Sequence, residues 1–236
     1  MLMIQQARSE VFAEEISTYI TDLQRKLGYL SRIQGFSELP KSIQQSMLEG
    51  LVRQNDAYEA IAVLDRQGDT TVMLSPYGLS LDAQDTQVVR TFKQTFNLNA
   101  DVVSPVELVS PQRTSAEQIP IVTFAVPIHD QQDKVDGVLM ARVNLRFLWT
   151  VINNRAVGHT GYAYVVDPHD LVIAQRWQQN QHQYRLTDIT NRPFIDDLRT
   201  RGVSQVKTPF NSPLLTSDCM GYGSLVECQS FQMSTG

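Results

Sequence analysis

Two apolar, β-branched and aromatic runs, Gly161-Tyr162-Ala163-Tyr164-Val165-Val166 and Leu171-Val172-Ile173-Ala174-Gln175, flank the tetrapeptide Asp167-Pro168-His169-Asp170. Pro168 presets one turn angle and the aspartates can bond nearby backbone, so this stretch reads as a β-hairpin with Tyr162, Tyr164 and Val166 on one face. A second hairpin pattern lies upstream, Ile121 to Ile128 and Val135 to Leu145, joined by His129-Asp130-Gln131-Gln132-Asp133-Lys134. A third joins Tyr58 to Asp65 with Thr70 to Leu74 through Arg66-Gln67-Gly68-Asp69. The hairpins near 65 and 167 share one design, which implies two structurally similar lobes.

Helical periodicity fills the intervals. Phe12, Ile16, Tyr19, Ile20, Leu23, Leu27, Leu30 and Ile33 fall at alternating three- and four-residue steps, one apolar stripe on a long amphipathic helix over Val11 to Ile33. After Gly35 and Pro40, Ser42 to Val52 reads as a shorter helix, as does Asp82 to Phe96 with Val88, Val89, Phe92 and Phe96 clustered. Val102 to Val109 is extended, Ser110 to Gln118 is a polar loop, and the first lobe is expected to hold five strands. Arg146 to Arg155 is a linking helix; Pro193 to Arg201 and Val203 to Pro209 pattern as a helix and a strand, after which the pattern fades.

Strand alternation places Val138, Met140, Arg142 and Asn144 on one face and Leu139, Ala141, Val143 and Leu145 on the other. A guanidinium on a covered face needs a partner. Two readings stay open: Arg142 meets an anionic ligand through forked hydrogen bonds, or it reaches solvent at the sheet end or pairs with Glu107. Thr123 and Ala125 alternate with Phe124 on the neighbouring strand and are candidates to line the same space.

Other functions are disfavoured. A formal charge of −5 without a Lys/Arg cluster argues against nucleic acid as a partner. His129, His159, His169 and His182 show no metal-ligand spacing, so no metal site or cofactor is expected. Asp167 and Pro168 are explained by turn chemistry, Gly158-His159-Thr160-Gly161 opens a strand instead of a helix, and there is no Gly-x-Ser-x-Gly elbow; the chain is expected not to be an enzyme. No stretch approaches the roughly 20 apolar residues of a membrane span, so the chain itself is expected to be soluble. Cys219 and Cys228 are the only cysteines, and whether they pair is open.

Ala125-Val126-Pro127-Ile128, Gly137-Val138-Leu139-Met140-Ala141-Arg142-Val143-Asn144-Leu145 and Gly158-His159-Thr160-Gly161-Tyr162-Ala163-Tyr164-Val165-Val166-Asp167, in that order, resemble the double Cache family of extracytoplasmic sensor domains in bacterial receptors. The resemblance implies an α+β fold: a long N-terminal stalk helix (1–35), a membrane-distal PAS-like ligand-binding lobe (36–154) and a membrane-proximal PAS-like lobe (155–236), each a mostly antiparallel sheet with flanking helices. Departures exist. Asp170 replaces the turn glycine, Gln175-Arg176 replaces His-Pro, and residues after about 210 lack the closing Gly-Trp strand, so the second lobe is expected to be truncated or divergent, with an incomplete sheet.

By the same resemblance the ligand lies under a cap in the distal lobe. Arg90 and Phe92 match the first part of the motif of amino-acid-binding members, whereas Val106 and Leu108 stand near Tyr-x-Asp and Arg142 near the final Asp. An ammonium meeting a guanidinium is unfavourable in a pocket of low dielectric, so a free amino acid bound in the usual way is disfavoured. The expected ligand is a small carboxylate held by Arg90 and Arg142, with Phe92, Glu107, Thr123 and Ala125 around it. The implied protein is a non-enzymatic sensor in a two-component, chemotaxis or cyclase receptor, dimeric through its N-terminal helix. The parent is expected to be anchored in the inner membrane by spans outside this chain, with this domain on the periplasmic side. The alternative is a PAS-like dimerisation or adaptor domain that binds no small molecule.

Overall fold

Short apolar runs with a buried stripe on both faces become central strands, and runs with one apolar stripe become covering helices. The computed structural model describes residues 2–81, 85–110, 119–153, 161–166, 171–175, 187–188, 210–211, 218–222 and 225–229. The chain divides into two compact units, one of Met1–Tyr19 with Phe147–Gly236 and the other of Ile20–Arg146.

The Ile20–Arg146 unit opens with the second part of helix α1 (Leu2–Ser31). Leu23 and Leu27 on the expected stripe are fully buried there. The helix stops two residues before Ile33, where the chain turns through Gly35 at φ 71° into a 3-10 turn, Phe36–Glu38. Helix α2 (Lys41–Gln54) follows, then strands β1 (Tyr58–Asp65) and β2 (Thr70–Leu74), helix α3 (Thr86–Leu98), strands β3 (Val102–Val103) and β4 (Glu107–Val109), and the long pair β5 (Ile119–His129) and β6 (Val135–Asn144). The antiparallel sheet runs β2-β1-β6-β5-β3, with β4 also on β5.

This sheet has six strands instead of the expected five because Val102 to Val109 is not continuous. Pro105 has no N–H to give the ladder. Ser104 closes the gap: its N–H donates to Thr123 O at 2.9 Å and its Oγ accepts from Thr123 N at 2.9 Å.

Both tight turns use one device. Asp65 Oδ1 accepts from Gln67 N and Asp69 N at 2.9 and 3.0 Å, and Asp130 Oδ1 accepts from Gln132 N and Lys134 N at 2.8 and 3.0 Å. Arg66 links the two turns, its Nε donating to Asp136 at 2.6 Å and its Nη2 lying 3.4 Å from Asp130. On the first side of the sheet, Ala60, Ala62 and Leu64 of β1, Ile121 and Ala125 of β5, and Val138 and Met140 of β6 form one apolar cluster with Val88 and Phe92 of α3. The second side is equally dry, with Ile61, Phe124, Val126, Leu139 and Val143 buried, and Tyr58 Oη ties β1 to α1 by donating to Leu23 O at 2.7 Å.

In the other unit, the rings of Tyr19 of α1 and Phe147 of helix α4 (Arg146–Asn153) meet in a tilted contact with centroids 4.1 Å apart. Strands β7 (Gly161–Val166) and β8 (Leu171–Gln175) form the expected hairpin, extended on one side by β9 (Thr187–Asp188). On the other side come β12 (Leu225–Gln229), β11 (Asp218–Tyr222) and β10 (Phe210–Asn211), giving the order β10-β11-β12-β7-β8-β9. Residues expected to leave this sheet incomplete thus add three strands to it, a correction to the sequence reading. The run Asp218 to Gln229 hides its pattern among Ser and Gly, but the register pairs Met220 with Glu227, Tyr222 with Leu225, and Cys219 with Cys228. The Asp167–Asp170 turn, the expected helix Pro193 to Arg201 and the expected strand Val203 to Pro209 lie outside the described residues.

Candidate functional site

Asp85 begins the site. It caps α3, its Oδ1 accepting from Gln87 N at 2.9 Å and Val88 N at 3.3 Å, which fixes where the helix starts and which face turns inward. That face carries Val88, Thr91, Phe92 and Thr95, all buried. Opposite it, cross-strand partners Thr123 and Arg142 lie side by side on β5 and β6.

Arg142 is only 4% exposed and is held from three directions. Its Nη1 donates to Ser80 O at 2.6 Å, its Nη2 bonds Asp85 Oδ2, and the same Nη2 lies 3.4 Å from Glu107 Oε1. Its Nε is buried without a partner, as are the hydroxyls of Thr91, Thr95 and Thr123. These atoms belong to facing surfaces that also carry an apolar cluster, which includes the small Ala60, Ala62 and Ala125.

Of the residues selected from sequence, Phe92, Glu107, Thr123, Ala125 and Arg142 converge here, and Phe92 stacks on Phe96 at 5.7 Å. Arg90 does not: it is exposed, on the outer side of α3. A pair of guanidinium groups is therefore absent, and Arg142 instead has two carboxylates of its own, one of them the Glu107 named in the open alternative. Asp85, Ser80, Thr91 and Thr95 were not read as site residues. Asp85 carries a signal, an acidic cap directly before a helical run, and Thr91 and Thr95 repeat at i, i+4 on the same face as Val88 and Phe92.

The two carboxylates respond oppositely to the same cation. Burial raises the Asp85 pKa, but the Arg142 hydrogen bond and charge, with the Val88 and Gln87 N–H groups, outweigh it and the net direction is down. Glu107 is raised, because burial exceeds what the longer Arg142 contact returns. Glu59, beneath Asn144 at 2.8 Å, is also raised by burial.

A carboxyl held below its ordinary value stabilises the fold above that value and loses the contribution as pH falls through the lowered pKa. One held above it stabilises at acid pH and loses the contribution as pH rises through the raised pKa. Glu107 ordinarily titrates near 4.5, so its contribution is full below that pH and is lost as pH rises through its raised pKa. Glu107→Gln is therefore expected to raise Tm at neutral pH and to flatten the decline between pH 4.5 and neutrality, read from thermal melts across that range. A mutant that melts lower than wild type at neutral pH would show that Glu107 is needed as an anion.

Among the described residues no group of His, Cys, Asp or Glu is placed to hold a metal ion, and His129 is engaged with Asn99 at 2.7 Å. Nor is any helix among them long and apolar enough to cross a membrane.

A helix N-capped by Asp85, which also pairs with the buried Arg142, lies on an antiparallel sheet with unpartnered polar atoms between them, the frame of an α+β domain. Residues 3–218 match the Cache domain model, and the chain belongs to this family, whose members are extracellular ligand-binding domains of membrane receptors. No curated protein matches the sequence. Among solved structures, the extracellular domain of the putative histidine kinase rpHK1S-Z16 is similar at TM-score 0.67 and 16% identity, covering 94% of this chain and 90% of that one. The ligand-binding domain of Mlp24 with asparagine is similar at TM-score 0.62 and 16% identity, over 95% and 90%. An extracellular ligand binding receptor from Desulfohalobium retbaense DSM5692 is similar at TM-score 0.63 and 13% identity; 93% of this chain spans only 39% of that receptor. At these identities the likeness is one of fold.

Proposed function

We propose that the chain is the ligand-sensing domain of a transmembrane signal-transduction receptor of chemoreceptor, histidine kinase or cyclase type, and that a small polar metabolite binds between α3 and the β5–β6 face. The observation that carries this reading is the set Thr91 Oγ1, Thr95 Oγ1, Thr123 Oγ1 and Arg142 Nε, all buried and without partners. Leaving such a group unsatisfied costs about 1–3 kcal/mol, which a ligand with matching donors and acceptors recovers.

The carboxylate favoured by the sequence takes a narrower form. Asp85 and Glu107 already give the site two negative charges against the one of Arg142, so a purely anionic ligand adds to an imbalance. A zwitterion leaves it unchanged: its carboxylate takes Arg142 Nε and its ammonium takes Glu107. Asparagine, bound by Mlp24, carries both groups. Binding would differ from the usual amino-acid mode, since Val106 and Leu108 stand where that motif has Tyr-x-Asp. The signal would run through α1 to a second copy of the chain, with residues 36–154 as the membrane-distal lobe, 155–236 as the proximal one, and membrane spans outside the chain. A ligand shifts such an equilibrium only by its preference for one state.

The test is a thermal-shift and calorimetric screen with L-amino acids, γ-aminobutyrate, dicarboxylates and amines. A saturable rise in Tm with a zwitterion is expected, and Thr91→Val and Thr123→Val should each weaken binding by roughly five- to tenfold, about one hydrogen bond. A dicarboxylate binding alone would overturn the zwitterion. No response to any compound would favour a PAS-like dimerisation domain.

A further inference from the structure

Phe210, Cys219, Cys228 and Tyr162 stand directly opposite one another across β10, β11, β12 and β7, one row running over four strands of the second sheet. We propose that Cys219 and Cys228 form a disulfide that staples β11 to β12. The strand register carries the argument. Tyr222 pairs with Leu225 across only two intervening residues, and partners so close in the chain can pair only by exchanging both hydrogen bonds directly. Bonded and open pairs then alternate away from the turn: Gly221 with Val226 is open, Met220 with Glu227 is bonded, and Cys219 with Cys228 is open. An open pair brings opposed Cα atoms to about 4.5 Å, within the roughly 4.4–6.8 Å that a disulfide spans. Directly opposed residues also share one face of the sheet, as a bridge requires.

The surrounding register favours this bond over the other common use of paired thiols. A structural zinc site takes four ligands drawn from Cys and His. The row of the two cysteines continues to Phe210 and Tyr162, and the next row on that face is Gly221, Val226 and Tyr164, so neither row adds a ligand. Cys219 and Cys228 are the only cysteines of the chain, so neither has a rival partner within it. Domains of this family are extracellular, and disulfides persist in such oxidising surroundings. Both cysteines follow residue 218, the last that matches the family model, so the bond belongs to this chain's own ending. It also has a mechanical role: β12 is held by β7, whereas β11 has only β12 and the two-residue β10 beside it, and the cross-link ties these outer strands to the middle of the sheet.

Closure proceeds by exchange with a disulfide oxidant. One cysteine thiolate attacks the oxidant, forming a mixed disulfide and releasing one reduced thiol, and the second cysteine thiolate displaces the other; two S–H bonds give way to one S–S bond, and two electrons and two protons pass to the oxidant. None of this depends on what binds under α3, and the test uses no ligand. The whole chain, reduced and folded, is treated with oxidised glutathione, quenched with iodoacetamide and weighed intact. The expected product is monomeric and lighter by two hydrogens, with the Cys219 and Cys228 peptides linked, and the melting transition of this unit falls by roughly 5–10 °C when a phosphine reductant is added. Cys219→Ser with Cys228→Ser should melt at one temperature with or without reductant. Cys219→Ser with Met220→Cys moves one thiol to the opposite face at nearly the same separation along the chain, and this variant should stop at a glutathione adduct. A wild-type chain that is alkylated at both cysteines, keeps an adduct, links two copies or melts alike with and without reductant overturns the assignment. So does a shifted variant that closes as fast as wild type, since nearness along the chain would then suffice without the register.

Discussion

Arg142→Ala is expected to lower Tm by roughly 6–12 °C and to abolish the response to ligand. Removing one member of a buried ion pair costs about 3–5 kcal/mol, and the lower end applies because Asp85 and Glu107 are about a third exposed. For a chain of this size each kcal/mol moves Tm by about 2–4 °C. The loss comes from two carboxylates deprived of their counter-charge, more than from lost packing. The triple change Arg142→Met, Asp85→Asn, Glu107→Gln should therefore regain much of the stability without regaining binding. If the triple variant is less stable than Arg142→Ala, the electrostatic account fails.

Gly137→Ala is the second large effect. A Cβ at this position would meet Leu64 O at 2.4 Å, and the obstruction is backbone, which cannot swing aside as a side chain would. Gly137 pairs with Asp65 of β1 and Ile128 of β5, so both central ladders would have to part. A loss of about 3 kcal/mol is expected, at the upper end for overpacking, measurable as a lower urea midpoint with unchanged slope. A midpoint within about 0.5 kcal/mol of wild type would mean that the strands separate there at little cost.

The fold was largely legible because its elements announce themselves locally. Asp-x-x-Gly between two apolar runs can hardly be anything but a tight hairpin, and the stripe through Leu23 and Leu27 follows from spacing alone. Strand alternation places Thr123, Ala125 and Arg142 on one face, and the structure turns that face toward α3. On α3 the resemblance selects Arg90, whereas the buried face is the one with Val88, Thr91, Phe92 and Thr95. Hydroxyls carry no apolar signal, so Thr91 and Thr95 look like surface residues until the sheet is placed against them.

Asp85 spans two scales of the molecule. The same carboxylate nucleates the first turn of α3 and neutralises Arg142. Whatever draws the guanidinium elsewhere also loosens the grip on the amides of Gln87 and Val88, so occupancy is transcribed into fraying of a helix end. Exchange of those two amide protons with solvent should therefore report on a guanidinium 57 residues beyond the cap, a gauge wired into the chain.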